Sequence, residues 1–172
     1  LYACVSAALA ALSGPRHGGA CRRVEGLLDE AAALGDPAAA VRQRFARGDE
    51  VPGFGHRLYP GGDPRAAALL DVARSIPGGG AAVESLEALE SIRAAMEASG
   101  HPAPTLDFGL VAVAEALALP RGSATALFAI GRAAGWVAHI LEQRRQNFLL
   151  RPTARYIGPG AEPTSRTSPT SP

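Results

Sequence analysis

Ala20-Cys21-Arg22-Arg23-Val24-Glu25-Gly26-Leu27-Leu28-Asp29-Glu30-Ala31-Ala32-Ala33-Leu34 is the stretch on which the fold class turns. Its apolar positions Val24, Leu27, Leu28 and Ala31 recur at helical spacing, so one face is greasy and the other charged. Gly35 closes that helix, and Asp36-Pro37 opens another, because Asp caps a first turn and Pro suits the first helical position. The same grammar runs through the chain. Residues are 47% hydrophobic and only 5% aromatic, rich in Ala, Leu and Arg and poor in β-branched types. These propensities predict an all-α protein.

Working outward, Leu1 to Leu12 reads as a buried helix of small apolar residues, stopped by Ser13-Gly14-Pro15. A loop then carries Arg16, His17 and Gly18-Gly19. The helix opened by Asp36-Pro37 ends near Gly48. Val51 to His56 cannot be regular, since Pro52, Gly53 and Gly55 interrupt both helical and strand bonding. Asp63-Pro64-Arg65 repeats the cap-then-proline signal, with a helix expected through Ala73. Another is expected from Ala81 to Ala98, with Val83, Leu86, Leu89, Ile92 and Met96 on one face. After His101-Pro102-Ala103-Pro104, Leu106 to Leu119 is apolar, so Asp107 stands where a loop becomes a helix. Ser123 can cap the next, a long and nearly all-round apolar helix from Thr125 to Arg145 that carries Arg132, Trp136 and His139, and such a helix is expected to be buried. Arg151 to Gly158 reads as extended, and residues 161–172 as a disordered Pro/Ser/Thr tail.

The charge pattern removes several function classes. All 17 basic residues are Arg, 16 acids oppose them, and the net charge is +1, so no basic field awaits nucleic acid or an anionic membrane. Cys4 and Cys21 form neither a metal pattern nor a disulfide framework, which points to no metal and to a reducing, cytoplasmic setting. No apolar run reaches the roughly 18 to 20 uncharged residues of a membrane span. The chain starts at Leu1 without Met, already in helix, and is expected to be part of a longer protein.

His17, His56 and Asp107 sit in loops or helix starts beside Gly or Pro, each within apolar or small-residue sequence. That suits an acid/base site, where Gly admits substrate to the backbone and scarce water tunes proton affinity. Singly, each has a plainer reading: a loop hydrogen-bonder for either His, an N-cap for the Asp. Together with Arg65, Arg132 and Arg151 they could bind a di- or tricarboxylate and move protons.

Five motifs resolve the choice. Ser13-Gly14-Pro15-Arg16-His17-Gly18-Gly19-Ala20 resembles the first histidine motif of citrate synthases. Val51 to Tyr59 followed by Asp63-Pro64-Arg65 resembles the second, and Pro104-Thr105-Leu106-Asp107-Phe108 the aspartate motif. Leu127 to His139 with Glu142-Gln143, and Arg151-Pro152 with Tyr156-Ile157-Gly158, complete a series in the family's order from Leu1 to about Gly158.

The resemblance implies a multi-helical fold with a small domain closing over a larger one, acting as a homodimer. Residues 1–19 would end a large-domain part with the first histidine loop, 20–122 would form the small domain, and 123–160 would return to the large domain. It implies an acyltransferase that condenses acetyl-CoA with oxaloacetate and water to give citrate and CoA. Asp107 would take the thioester α-proton while His17 stabilises the enolate, and His56 would polarise the oxaloacetate ketone. Arg65, Arg132 and Arg151 would hold carboxylates, since a guanidinium fork meets them bidentately, with Arg151 reaching the neighbouring subunit's site. Val51, Pro52, Gly53, Phe54 and Gly55 would lie against the CoA adenine, with Arg57 available for its phosphates because Pro60 stands where many members carry Lys or Arg. No cofactor is implied beyond the CoA thioester itself, which is a substrate. Thr105-Leu106-Asp107 replaces the commoner Asn-Val-Asp, and the family's further oxaloacetate-binding histidine, normally supplied from an N-terminal region, has no counterpart here. A 2-methylcitrate synthase using propionyl-CoA and a non-catalytic metabolite-binding paralogue are the alternatives. His101, His139 and both cysteines are expected to be structural.

Overall fold

A computed structural model describes residues 1–15, 18–146, 148 and 158. Among these residues seven helices follow one another: α1 (Tyr2–Leu12), α2 (Gly18–Leu34), α3 (Pro37–Arg47), α4 (Pro64–Ser75), α5 (Ala81–Ala98), α6 (Leu106–Ala116) and α7 (Ser123–Gln146). Among the described residues there is no strand, only an isolated antiparallel bridge between Phe54 and Pro104. The all-α expectation holds. Apart from Gly158, the expected extended segment and the tail at 161–172 lie outside the described residues.

Local signals account for most boundaries. Asp36 accepts from the Ala39 N–H at 3.0 Å ahead of Pro37, and Gly48 closes α3 in the left-handed conformation. Asp63 caps α4 ahead of Pro64 in the same way. Several boundaries differ from expectation, α6 ending at Ala116 instead of Leu119, and at the start of α2 Gly18 and Gly19 belong to the first turn, not to the preceding loop. A Cβ on Gly18 would lie 2.3 Å from the Leu12 carbonyl oxygen, so only glycine lets α2 start this close to the end of α1.

The core forms around α6. Eight of its eleven residues are buried, packed by α4 on one side and by α2 and α5 on others. Phe108, Leu27, Leu89, Ile92, Val24 and Val41 are the largest side chains fully removed from solvent. They come from α2, α3, α5 and α6, making one continuous cluster.

The terminal helices depart from expectation. Only Leu12 of α1 and Ala124 of α7 are buried, whereas both helices read as interior. They pack on each other, and α7 touches α2 and α6, but Tyr2 is 88% and Ile130 73% exposed. Their apolar faces exceed the surface this chain offers to cover them. Taken as a helix rather than as an uncharged run, α7 is long and apolar enough to cross a membrane by length and composition, and 6% of its most apolar window is buried. It nevertheless carries Arg132 near its middle. His139 is exposed as well, beside Glu142 at 3.3 Å.

Candidate active site

Asp107 occupies the first turn of α6, and its carboxylate is not spent on capping. Asp63 does that work instead: its buried carboxylate accepts from the Leu106 N–H at 3.1 Å, from the Arg65 N–H at 3.1 Å, and from the Arg65 guanidinium at 2.9 and 2.8 Å. The Arg65 guanidinium, with these amides, holds the Asp63 carboxyl below the usual carboxylate range. One charged group thus joins the starts of α4 and α6. The helix N-terminus beneath Asp107 also favours a carboxylate there.

The partner of Asp107 is Cys21, whose Sγ–H donates to Asp107 Oδ1 at 3.2 Å. Cys21 faces inward from α2 and is 1% exposed. Burial, reinforced by the Asp107 charge, pushes its thiol far above the ordinary range, so it stays protonated and acts as a donor rather than a nucleophile. Sequence reasoning had assigned Cys21 only a structural duty. Its inward position in the stripe with Val24 and Leu28 signals burial, but nothing local announces a carboxylate 86 positions later.

The loop from Val51 to Gly55 is tied to the segment just ahead of Asp107. The Thr105 N–H donates to the Gly53 carbonyl at 2.8 Å and the Gly55 N–H to the Ala103 carbonyl at 3.0 Å. Phe54 packs on Phe108 with ring centroids 5.0 Å apart. Gly53 has φ +88°, and a Cβ there would meet Val24 Cγ2 at 2.7 Å, so the close approach of this loop to α2 requires glycine. A cleft of about 500 Å³ results, lined by this loop, Asp107 and the first turns of α2 including Arg22 and Arg23.

Arg65 and Arg132 meet in a second cleft of about 560 Å³, with Trp136 and Phe128 of α7 and the C-terminal end of α1. The structure therefore brings together two of the three arginines predicted to hold carboxylates. Arg65 already holds Asp63 bidentately, and the Asp107 charge is among those that raise its proton affinity, after Asp63 and Tyr59. His56 lines neither cleft. Its ring lies 5.0 Å from that of Tyr59, over which the Arg65 guanidinium sits at 5.2 Å. His56 Nδ1 accepts from the Leu58 N–H at 3.2 Å, which leaves the proton on Nε2 as a free donor. Arg57 is exposed and lies in neither cleft. His17 and Arg151 lie outside the described residues. His101, expected to be structural, stacks on Phe45 with centroids 4.2 Å apart.

The arrangement offers a carboxylate base on a helix start, a neutral donor beside it, and two arginines across α4 and α7 for an anionic partner. Comparison with known proteins identifies the family. Putative citrate synthase 2 of Mycobacterium tuberculosis is 40% identical over 164 residues, and 2-methylcitrate synthase 2 of Corynebacterium glutamicum 35% identical over 161. Each match covers 92% of this chain and 43% or 41% of the relative, so the chain spans less than half the length of these proteins. The solved ternary complex of citrate synthase from Thermoplasma acidophilum with carboxymethyl coenzyme A and oxaloacetate superposes with a TM-score of 0.74 at 31% identity, covering 95% of this chain and 45% of that one. The family described as "Citrate synthase, C-terminal domain" matches residues 1–153, and the chain belongs to the citrate synthase family.

Proposed function

We propose that this chain supplies the aspartate-bearing part of an active site that condenses acetyl-CoA with oxaloacetate and water, giving citrate and CoA. The observation that carries the reading is Asp107 itself. It sits at the start of α6, relieved of capping by Asp63, and faces the same cleft as the Val51 to Gly55 loop. Family members place that loop against the CoA adenine, which would bring the acyl end of the thioester toward Asp107.

In this reading Asp107 takes a proton from the acetyl methyl group while His17 donates to the thioester oxygen, because a thioester α-proton is too weakly acidic for a carboxylate acting alone. The enol carbon attacks the ketone carbon of oxaloacetate, and His56 gives its Nε2 proton to the oxygen that becomes the hydroxyl. Water then cleaves the thioester, releasing CoA. Arg65 and Arg132 hold the oxaloacetate carboxylates, and Arg151 serves the neighbouring subunit of a homodimer. Cys21 holds the Asp107 carboxylate in one orientation through its thiol donor. The division at residues 19 and 122 into large-domain and small-domain parts belongs to the same reading.

The Corynebacterium glutamicum relative favours a second acyl substrate, propionyl-CoA. One extra methylene is worth only about 1–3 kcal/mol of discrimination in an acyl pocket. The test is release of free CoA by the native protein carrying this sequence, with oxaloacetate and either thioester, beside Asp107→Ala. We expect release with one of the two and a loss of about 10²–10⁴-fold in the variant. A folded wild type that releases no CoA with either would instead support a non-catalytic paralogue.

A further inference from the structure

The cleft beside Asp107 contains more positive charge than the condensation chemistry uses. Arg22, Arg23 and Arg44 all line it, against Glu50 and Asp107. These arginines are not equivalent. Arg44 is held by Glu30 at 2.6 and 2.8 Å and donates to the Glu50 carbonyl, so its charge is neutralised locally. Arg22 and Arg23 make no ion pair among the described residues, and the one hydrogen bond recorded for either is from Arg23 Nη1 to the Pro15 carbonyl. Among the described residues, seven of the eleven other arginines behave differently: Arg42, Arg44, Arg47, Arg65, Arg74, Arg93 and Arg121 each meet an acid. Two adjacent guanidinium groups on the wall of a cleft, with no acid paired to them among the described residues, form an anion site.

We infer that Arg22 and Arg23 bind the phosphates of the CoA nucleotide, taking the place of the basic residue whose position here is Pro60. The inference rests on the proposed function for the identity of the thioester. The cleft and its two arginines without an acid partner among the described residues are independent of that reading. The Val51 to Gly55 loop lines the same cleft and is pinned by Thr105 and Ala103, so a nucleotide lying along that loop would share the cleft with the two guanidinium groups. Arg57, the other candidate for this duty, lies outside the cleft.

The experiment is a calorimetric titration of the native protein, its Arg22→Ala/Arg23→Ala variant and an Arg22→Lys/Arg23→Lys variant with CoA, 3′-dephospho-CoA and pantetheine. We expect the alanine variant to bind CoA about 10–100-fold more weakly, with pantetheine unchanged and the lysine variant recovering part of the loss. A penalty on CoA absent from 3′-dephospho-CoA assigns the arginines to the 3′-phosphate; an equal penalty on both assigns them to the diphosphate. Unchanged CoA affinity, an equal loss for pantetheine, or no CoA binding by the wild type overturns the inference. Because binding is read without turnover, phosphate-selective CoA binding by a protein that releases no CoA from thioesters would sink the catalytic reading and leave this one standing.

Discussion

α6 and α7 are both apolar helices, yet the chain treats them in opposite ways. α6 has eight of its eleven residues buried and lies at the centre of the core, while α7 has Ala124 alone buried in 24. α6 is flanked by α2, α4 and α5, which present complementary apolar faces. α7 meets α2, α6 and α1, and α1 is itself exposed over most of its surface. Apolar composition states a need for cover; whether this chain supplies the cover depends on surface elsewhere. The chain spans 43% of the length of its Mycobacterium tuberculosis relative, so a family member brings much more surface than is present here.

The largest expected effect falls on the α6 side. Phe108 is fully buried and touches the Phe54 ring, so Phe108→Ala leaves a cavity between α6, α2 and the cleft loop. The loss should be about 3–5 kcal/mol in urea denaturation followed by circular dichroism, with little change in the urea dependence. A loss below about 1 kcal/mol would mean that α6 is no more essential than α7, and the contrast between the two helices would collapse.

This contrast also marks where sequence reading succeeds. The spans of α3 and α5 and the caps at Asp36 and Asp63 are legible because each depends on residues within one or two turns. Asp107 at a helix start is legible for the same reason, and the family motifs add its chemistry. What escapes is anything decided across the chain. The Asp63 cap can be read locally, but its bond to Leu106, 43 positions on, cannot. The same holds for the thiol of Cys21 against Asp107 and for the meeting of Arg65 with Arg132. The burial of α7 was misjudged because periodicity reports which face seeks a partner and not where that partner is.

A smaller effect tests how the α6 end is held. Asp63→Asn keeps the shape but removes the charge that binds Arg65 and the two amides, with an expected cost of about 2 kcal/mol at pH 7. The native carboxyl is depressed, so its stabilisation is complete above the unfolded carboxylate range and disappears as pH falls through the native value. Urea midpoints of wild type and variant should therefore converge between about pH 5 and pH 2. A gap that stays constant with pH would assign the cost to shape instead of charge.

The smallest effect belongs to α7, and it separates lack of cover from lack of importance. Ile130 is 73% exposed on the helix face left open in this chain. Ile130→Ser should change the stability of the 172-residue chain by no more than about 0.5 kcal/mol, since almost no apolar surface returns to water when the helix unfolds. It should also reduce self-association at high concentration, measured by sedimentation velocity, because large exposed apolar patches drive chains together. If the same substitution in the native protein costs about 2 kcal/mol or more, the open face of α7 is an interior surface whose partner lies outside residues 1–172; if it costs nothing there either, α7 is exposed by design and the two helices differ in role as well as in cover.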